Sequence, residues 1–330
     1  MKIITALVGF GLSGKYLQAP FLIQNPAFDL QYIATQSSDP TLSYPTVKKA
    51  TFEAILANPA IQLVSICSPN PTHYDYAKAV LMANKHVLIE KPICANTRQA
   101  QELYDLAQKQ QKILYVYQNR RFDSDFLTIK QVIESEKLGK IHTFEAHFDR
   151  YKPSLNPKKW KETPHPTSGI LYDLGSHLLD QALALFGKPM AFDGQVWTQR
   201  QASDIDDAFE IRLNYGHLKV RLKASLLVQK PGPRYVIHGD LGTFEKHGLD
   251  PQEDQSKAGL LPNDPAFGQE NETQNGTLFT ENSSQKIISQ KGNWGLLFDN
   301  LKEAILDNKP LIIKPEEILE QLLILETIRQ

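Results

Sequence analysis

Short, continuously apolar runs alternate with amphipathic stretches through the first third of the chain. Residues 2–8, 29–35, 61–67, 85–89 and 112–117 read as strands. The segments near 13–24, 51–57, 72–83 and 96–109 read as helices. Tyr76, Ala79, Val80 and Ala83 recur at helical spacing, as do Ala100, Leu103, Leu106 and Ala107. Apolar strands alternating with helices predict a parallel sheet covered on both faces.

The pattern changes after residue 122. Residues 124–136 look helical, and 141–149 alternate Phe144, Ala146 and Phe148 with Glu145, His147 and Asp149. Strands are expected over 207–215 and 217–228. Phe209, Ile211, Leu213 and Tyr215 share one face with Leu218, Val220, Leu222, Ala224 and Leu226. The other face carries Glu210, Arg212, Asn214, Lys219, Arg221 and Lys223, with Gly216 in the turn. This is the signature of an antiparallel sheet with one buried face. A helix over 172–186, ended by Gly187 at its C′ position, is expected to cover that face. Residues 248–293 are rich in Gly, Pro, Asn, Gln and Ser and read as a long excursion, either a flap or a mobile surface loop. Helical periodicity returns over 295–307 and 316–329. The expected domains are 1–122 and 123–330.

Composition narrows the class. At ~100–200 residues per domain, 330 residues fit two domains. Hydrophobic residues are 41% and charged residues 22%, ordinary for a globular chain. Thirty-six basic against 37 acidic residues leave a net charge of −1, with no global field to attract nucleic acid or an anionic membrane. No apolar run reaches the ~18 residues of a span. Cys67 and Cys94 lack CxxC partners, which fits a reducing compartment. Met1-Lys2 leads directly into the apolar run 3–8, too short for a signal h-region, so a cytoplasmic location is expected.

Gly9-Phe10-Gly11-Leu12-Ser13-Gly14 is a GxGxxG sequence between a predicted strand and a predicted helix. In that context Gly9 permits the tight turn, Gly11 admits a pyrophosphate, and Gly14 lets helix and strand approach. The helix N-terminus adds free N–H groups and partial positive charge. The expectation is a bound dinucleotide. The second strand ends Thr35-Gln36-Ser37-Ser38, with no Asp or Glu placed for a ribose 2′-hydroxyl and Asp39 slightly late. Hydroxyl donors there suit a 2′-phosphate, although no Arg stands beside them. NADP is therefore expected ahead of NAD.

Residues 85–92 deliver Glu90-Lys91-Pro92 to the C-terminal end of a strand, the edge where open α/β sheets bind ligands. A lysine there can stabilise developing negative charge on a substrate oxygen. Asp173 and His177 are four apart and share a helix face, an arrangement suited to acid–base work on an alcohol. Asp180, three residues past His177, is a rival partner. No HxH, HExxH or CxxC pattern supports a metal site, and none is expected.

The glycine turn, Glu90-Lys91-Pro92 and Asp173-xxx-His177 together resemble the Gfo/Idh/MocA family of NAD(P)-dependent oxidoreductases, over nearly the whole chain. Tyr117 to Phe126, Phe148 to Tyr151, Gly169 to His177, Arg234 to Gly239 and Gly248 to Asp254 resemble its NADP-dependent scyllo-inositol dehydrogenase branch. The resemblance implies an N-terminal Rossmann domain with a doubly wound parallel sheet. It also implies a C-terminal α+β domain with a large, mostly antiparallel open sheet, which binds substrate and forms homodimers or homotetramers. Lys91 would hydrogen-bond the reacting hydroxyl, His177 would be the general base or acid, and Asp173 would tune it. Ser68, Pro69, Asn70 and His73 would lie along the nicotinamide ribose, with Glu90 and Asn119 also at the cofactor. Arg120, Arg150, Tyr151 and Trp160 would meet substrate, with Arg120 bordering the crevice. The helical pattern runs to Arg329-Gln330, where a further closing segment would be expected from the family pattern, which suggests a shortened chain. The implied activity is hydride transfer between nicotinamide and a cyclic polyol or sugar. The alternatives are another carbonyl or monosaccharide substrate, or a cofactor-binding sensor without turnover.

Overall fold

The computed structural model describes residues 2–36, 39–158 and 162–330. Ser37, Ser38 and Trp160, expected at the cofactor and substrate, lie outside the described residues. The chain forms two compact units. One comprises 1–119, 252–267 and 293–315, and the other 120–251, 268–292 and 316–330.

The first unit is built on a parallel sheet of β1 (Ile3–Val8), β2 (Phe28–Ala34), β3 (Lys48–Ala50), β4 (Leu63–Ile66), β5 (His86–Glu90) and β6 (Leu114–Tyr117). Its order is β3-β2-β1-β4-β5-β6, the doubly wound arrangement that reverses direction between β1 and β4. The central strands are apolar because both faces are covered: every residue of β4 and β6 is buried.

The helix expected over 13–24 is instead a π-helical turn, Ser13–Gln18, followed by the α-helix Ala19–Gln24. Pro20 has no N–H to return to Tyr16, so a regular α ladder cannot run through this point. The wider turn brings Gln18 inward. Gln18 is fully buried, its Oε1 accepting from the Ser65 hydroxyl and its Nε2 donating to Glu90 at 2.8 Å. Ser13 Oγ donates to the same Glu90 oxygen, and the Lys91 N–H reaches the other at 3.3 Å. One carboxyl thus ties the glycine turn to the end of β5.

The polar stretch 248–293 is not a free excursion. It contains the helix Gln252–Lys257 and two strands of the second unit, β13 (Gly276–Thr280) and β14 (Ser283–Ile287). Residues 252–267 and the helix Gly295–Asp307 pack in the first unit rather than in a continuous domain 123–330. Phe21 stacks on Phe298 at 5.3 Å and meets Phe267 at 5.8 Å and Trp294 at 6.1 Å. Phe298 also contacts Phe28 and Tyr117, and the Tyr115 hydroxyl donates to Asn300 at 2.7 Å. A few large aromatic side chains anchor an otherwise polar segment, which composition alone hides.

The second unit holds an eight-stranded sheet. Its remaining strands are β7 (Ile141–His147), β8 (Ala191–Trp197), β9 (Ala208–Tyr215), β10 (Leu218–Ser225), β11 (Tyr235–Gly239) and β12 (Thr243–Lys246). The order is β14-β13-β12-β11-β7-β10-β9-β8, antiparallel except where β10 pairs with β7. The predicted alternation is present: Phe209, Ile211, Leu213, Val220 and Leu222 are buried, while Arg212, Lys219, Arg221 and Lys223 are exposed. The helix Ser176–Phe186 covers the apolar face, with Phe186 edge-on to Phe144 at 5.2 Å, and stops at Gly187, whose φ is +71°.

Removing the Phe298 ring opens a cavity in the aromatic cluster. Phe298→Ala is expected to cost about 3–5 kcal/mol in a denaturant titration. Burial raises the Glu90 carboxyl above its ordinary range, against the pull of Ser13, Lys91 and Gln18. A raised folded-state pKa means that the stabilising, protonated form is lost as pH climbs through it. Glu90→Gln keeps that neutral form, so its melting temperature relative to the wild type is expected to increase between about pH 5 and pH 8. A difference that stays flat with pH would show that the carboxyl is not held neutral by burial.

Candidate functional site

Gly9 has φ +94°, and a Cβ there would lie 2.6 Å from the Cys67 carbonyl carbon at the end of β4. A Cβ on Gly14 would lie 2.1 Å from the Gly9 oxygen, so the π-helical turn sits directly on the strand exit. Gly11 is different: a Cβ there meets nothing within 4 Å. The turn therefore offers exposed main chain above Gly11, which fits a pyrophosphate at a helix N-terminus. Leu12 is exposed, whereas the Phe10 ring is buried edge-on to Tyr44, leaving only its main chain to a ligand. The Ser13 hydroxyl is directed to Glu90.

Thr35 and Gln36 follow β2 directly. Asp39 caps the next turn through the Thr41 N–H at 3.0 Å, and that bond with the Thr41 hydroxyl keeps its carboxyl below its usual range. Lys48 and Lys49 pair in register with Tyr32 and Ile33. These two cations beside β2 were missed in the sequence because β3 is only three residues long and carries no apolar pattern.

Ser68, Pro69 and Asn70 follow β4, and the Ser68 hydroxyl is 2.6 Å from that of Thr72. His73 is fully buried, with Nδ1 2.7 Å from the Pro92 carbonyl and Nε2 2.9 Å from that of Ser68. Both ring nitrogens are occupied by protein. His73 thus braces the loop after β4 against the loop after Lys91, rather than presenting its ring to a ribose. Burial lowers its pKa, partly offset by the two carbonyls. Lys91 follows β5 at the ligand edge of the sheet, its bond to Pro92 is cis, and Asn119 is buried beyond β6. Sequence reading missed Gln18 and Ser65, whose importance depends on the π-helical turn.

In the second unit Asp173 lies in a π-helical turn, Leu171–Gly175, and His177 opens the following α-helix. Asp173 is exposed and His177 is buried. The rival acid Asp180 receives Nε and Nη2 of Arg121 at 2.8 and 2.7 Å, a buried two-pronged pair. Arg121 also reaches Glu317 at 2.8 Å. Asp180 is thus committed to Arg121. Arg120 pairs with Asp123 at 2.9 Å, and Arg234 with Asp125 at 3.3 Å. Arg120, Arg150 and Arg234 all stand over the Phe148 ring, at 5.2, 4.7 and 4.2 Å. Tyr151 is half-exposed and bridges to Leu227. Arg234 was visible only as part of a longer resemblance, since its convergence with residues 120 and 150 depends on sheet pairing. Among the described residues no cluster of three His, Cys, Asp or Glu could hold a metal, and no helix is long and apolar enough to cross a membrane.

Residues 3–118 match the family model for an oxidoreductase NAD-binding Rossmann fold, and 130–330 match its C-terminal alpha/beta domain. The chain is 35% identical to the Escherichia coli oxidoreductase YhhX, covering 99% of this chain and 96% of that one. It is also 35% identical to Bacillus subtilis IolW, a scyllo-inositol 2-dehydrogenase (NADP(+)), over 97% of this chain and 91% of IolW. The solved structure of the Bacillus subtilis oxidoreductase yvaA superposes with a TM-score of 0.95 at 33% identity, covering 100% of this chain and 95% of that one. With both domains matched over almost its whole length, the chain belongs to the Gfo/Idh/MocA oxidoreductase family.

Proposed function

We propose that the protein is an NADP(H)-linked dehydrogenase that interconverts an alcohol and a ketone on a cyclic polyol or sugar, with an inositol as the first candidate. The observation that carries this reading is the 35% identity to the NADP-dependent scyllo-inositol 2-dehydrogenase over 97% of the chain. The cofactor choice is supported by Asp39, whose carboxyl is engaged at Thr41, and by Lys48 and Lys49 beside β2.

The bound nicotinamide would supply the hydride acceptor or donor. In this reading Lys91 donates a hydrogen bond to the reacting oxygen and favours its developing charge. His177 removes the hydroxyl proton in oxidation and returns it in reduction. Asp173 orients and tunes His177. Arg120 and Arg150 hold substrate oxygens, with Arg234 adding positive charge at the same ring.

Reduced-nicotinamide absorbance with NADP⁺ or NAD⁺ and a panel led by scyllo- and myo-inositol tests the reading. Turnover is expected with NADP⁺ and an inositol. Lys91→Met and His177→Ala are expected to lower kcat by about 100- to 10,000-fold while cofactor affinity holds. Cofactor binding with no turnover on any polyol or sugar would favour the sensor reading. Lys49→Glu is expected to weaken NADP⁺ binding about fivefold, as for an exposed charge pair, and to leave NAD⁺ binding unchanged.

A further inference from the structure

We propose that Arg329 and Asp206 are positioning residues, clamping the chain over 168–171 so that Asp173 and His177 keep their places. The inference rests on the roles proposed above for those two residues. Asp206 comes from the loop before β9, and Arg329 from the end of the helix Pro315–Arg329. Arg329 Nη2 donates to the Ser168 carbonyl at 2.7 Å and to Asp206 Oδ1 at 2.8 Å. The other Asp206 oxygen accepts the Leu171 N–H at 2.8 Å, and its main-chain carbonyl accepts the Ile170 N–H at 3.0 Å. Gly169 lies between them with φ +83°, where a Cβ would sit 1.9 Å from Asp206 Oδ1. Consecutive residues 168–171 are thus held or crowded by two residues distant in sequence, through both side chains and the Asp206 main-chain carbonyl.

The clamp sits at the mouth of the π-helical turn Leu171–Gly175. A π turn departs from the regular ladder and occurs mostly as a single turn, frequently at functional sites. Asp206 supplies acceptors for the first N–H groups of this turn, which lack partners inside the helix. The C-terminal helix continues the same brace. Glu317, Gln321, Leu325 and Arg329 are spaced four apart and share one face. Along that face Glu317 pairs with Arg121, the partner of Asp180, and Gln321 donates to the Ser176 carbonyl at 2.5 Å. Leu325 is fully buried. The face therefore follows the segment 168–180 from before Asp173 to beyond His177.

Loss of the clamp frees the turn to relax towards an α register without unfolding the unit. Asp173 and His177 would then move by about 1 Å, enough to cost about 100-fold in rate. The clamp can also be reached from solvent. Asp206, Arg329, Ser168, His165 and Trp197 line an open cavity of about 490 Å³. A small guanidinium ion can therefore enter the space that an Arg329→Ala substitution vacates.

The test uses the full chain with Arg329→Ala, Arg329→Lys and His177→Ala. In Arg329→Ala, kcat is expected to fall about 100-fold, with cofactor affinity unchanged. Added ethylguanidinium, at sub-denaturing concentration, and Arg329→Lys should each recover part of the rate. Hydrogen exchange should speed up at the Ile170 and Leu171 amides while β9 and β10 stay protected. A kcat within about twofold of wild type, or a loss that neither guanidinium nor lysine restores, overturns the proposal. If Arg329→Ala fails to fold, Arg329→Gln, which keeps a polar side chain but not its charge, carries the test: unchanged turnover and unchanged exchange at residues 170 and 171 overturn the proposal. If His177→Ala keeps full turnover, the underlying reading of the site fails instead. Exchange at residues 170 and 171 still reports the clamp in that case.

Discussion

The first unit depends on an approach of backbone to backbone that leaves no room for a side chain. The Gly9 main chain lies against the Cys67 carbonyl, and the turn after Gly14 lies against Gly9. These contacts close the gap between β1 and β4, where the strand order reverses. An open α/β sheet presents its ligand edge at that reversal. Gly11 alone faces open space, so the three glycines differ in purpose although the motif lists them alike. Two positions create the cradle and one leaves it accessible.

A buried or half-buried carboxyl serves the same purpose in each unit. Glu90 gathers Ser13, Gln18 and the Lys91 N–H beside the π-helical turn Ser13–Gln18. Asp206 gathers the Leu171 N–H and Arg329 at the start of the π-helical turn Leu171–Gly175. Burial raises the pKa of both acids. A carboxylate removed from water is costly unless donors surround it, and those donors then become fixed points of the backbone. Each acid sits at a short irregular turn next to residues assigned to chemistry. The hydrogen bonds each acid gathers hold the irregular turn beside it in place.

Much of this was legible in the sequence. The central parallel strands β4 and β6 are wholly buried and almost entirely apolar, and β9 and β10 alternate cleanly around Gly216, because burial on two faces or one imposes those patterns directly. The glycine turn, Lys91 and Asp173-xxx-His177 were legible because short motifs encode them. The brief edge strand Lys48–Ala50 was not, since neither face is deeply buried. Nor were the π-helical turns, which leave the hydrophobic spacing almost unchanged. His73 looked available to a ligand because nothing in sequence reveals two main-chain carbonyls closing on its ring.

The aromatic anchors of 252–315 show why domain limits are harder to read than elements. The two family models divide the chain between residues 118 and 130, as a reading along the sequence also does. Packing instead places 252–267 and 293–315 with the first unit through Phe267, Trp294 and Phe298. The chain leaves the first unit after residue 119 and returns to it twice. The final helix then belongs to the second unit, where its four-residue spacing meets the segment carrying Asp173 and His177. That spacing is visible in the sequence as three polar residues, Glu317, Gln321 and Arg329, in line with Leu325 on an otherwise largely apolar helix. Only the fold reveals that this stripe faces Ser168, Ser176 and Arg121, which ties the last helix to the segment that carries Asp173 and His177.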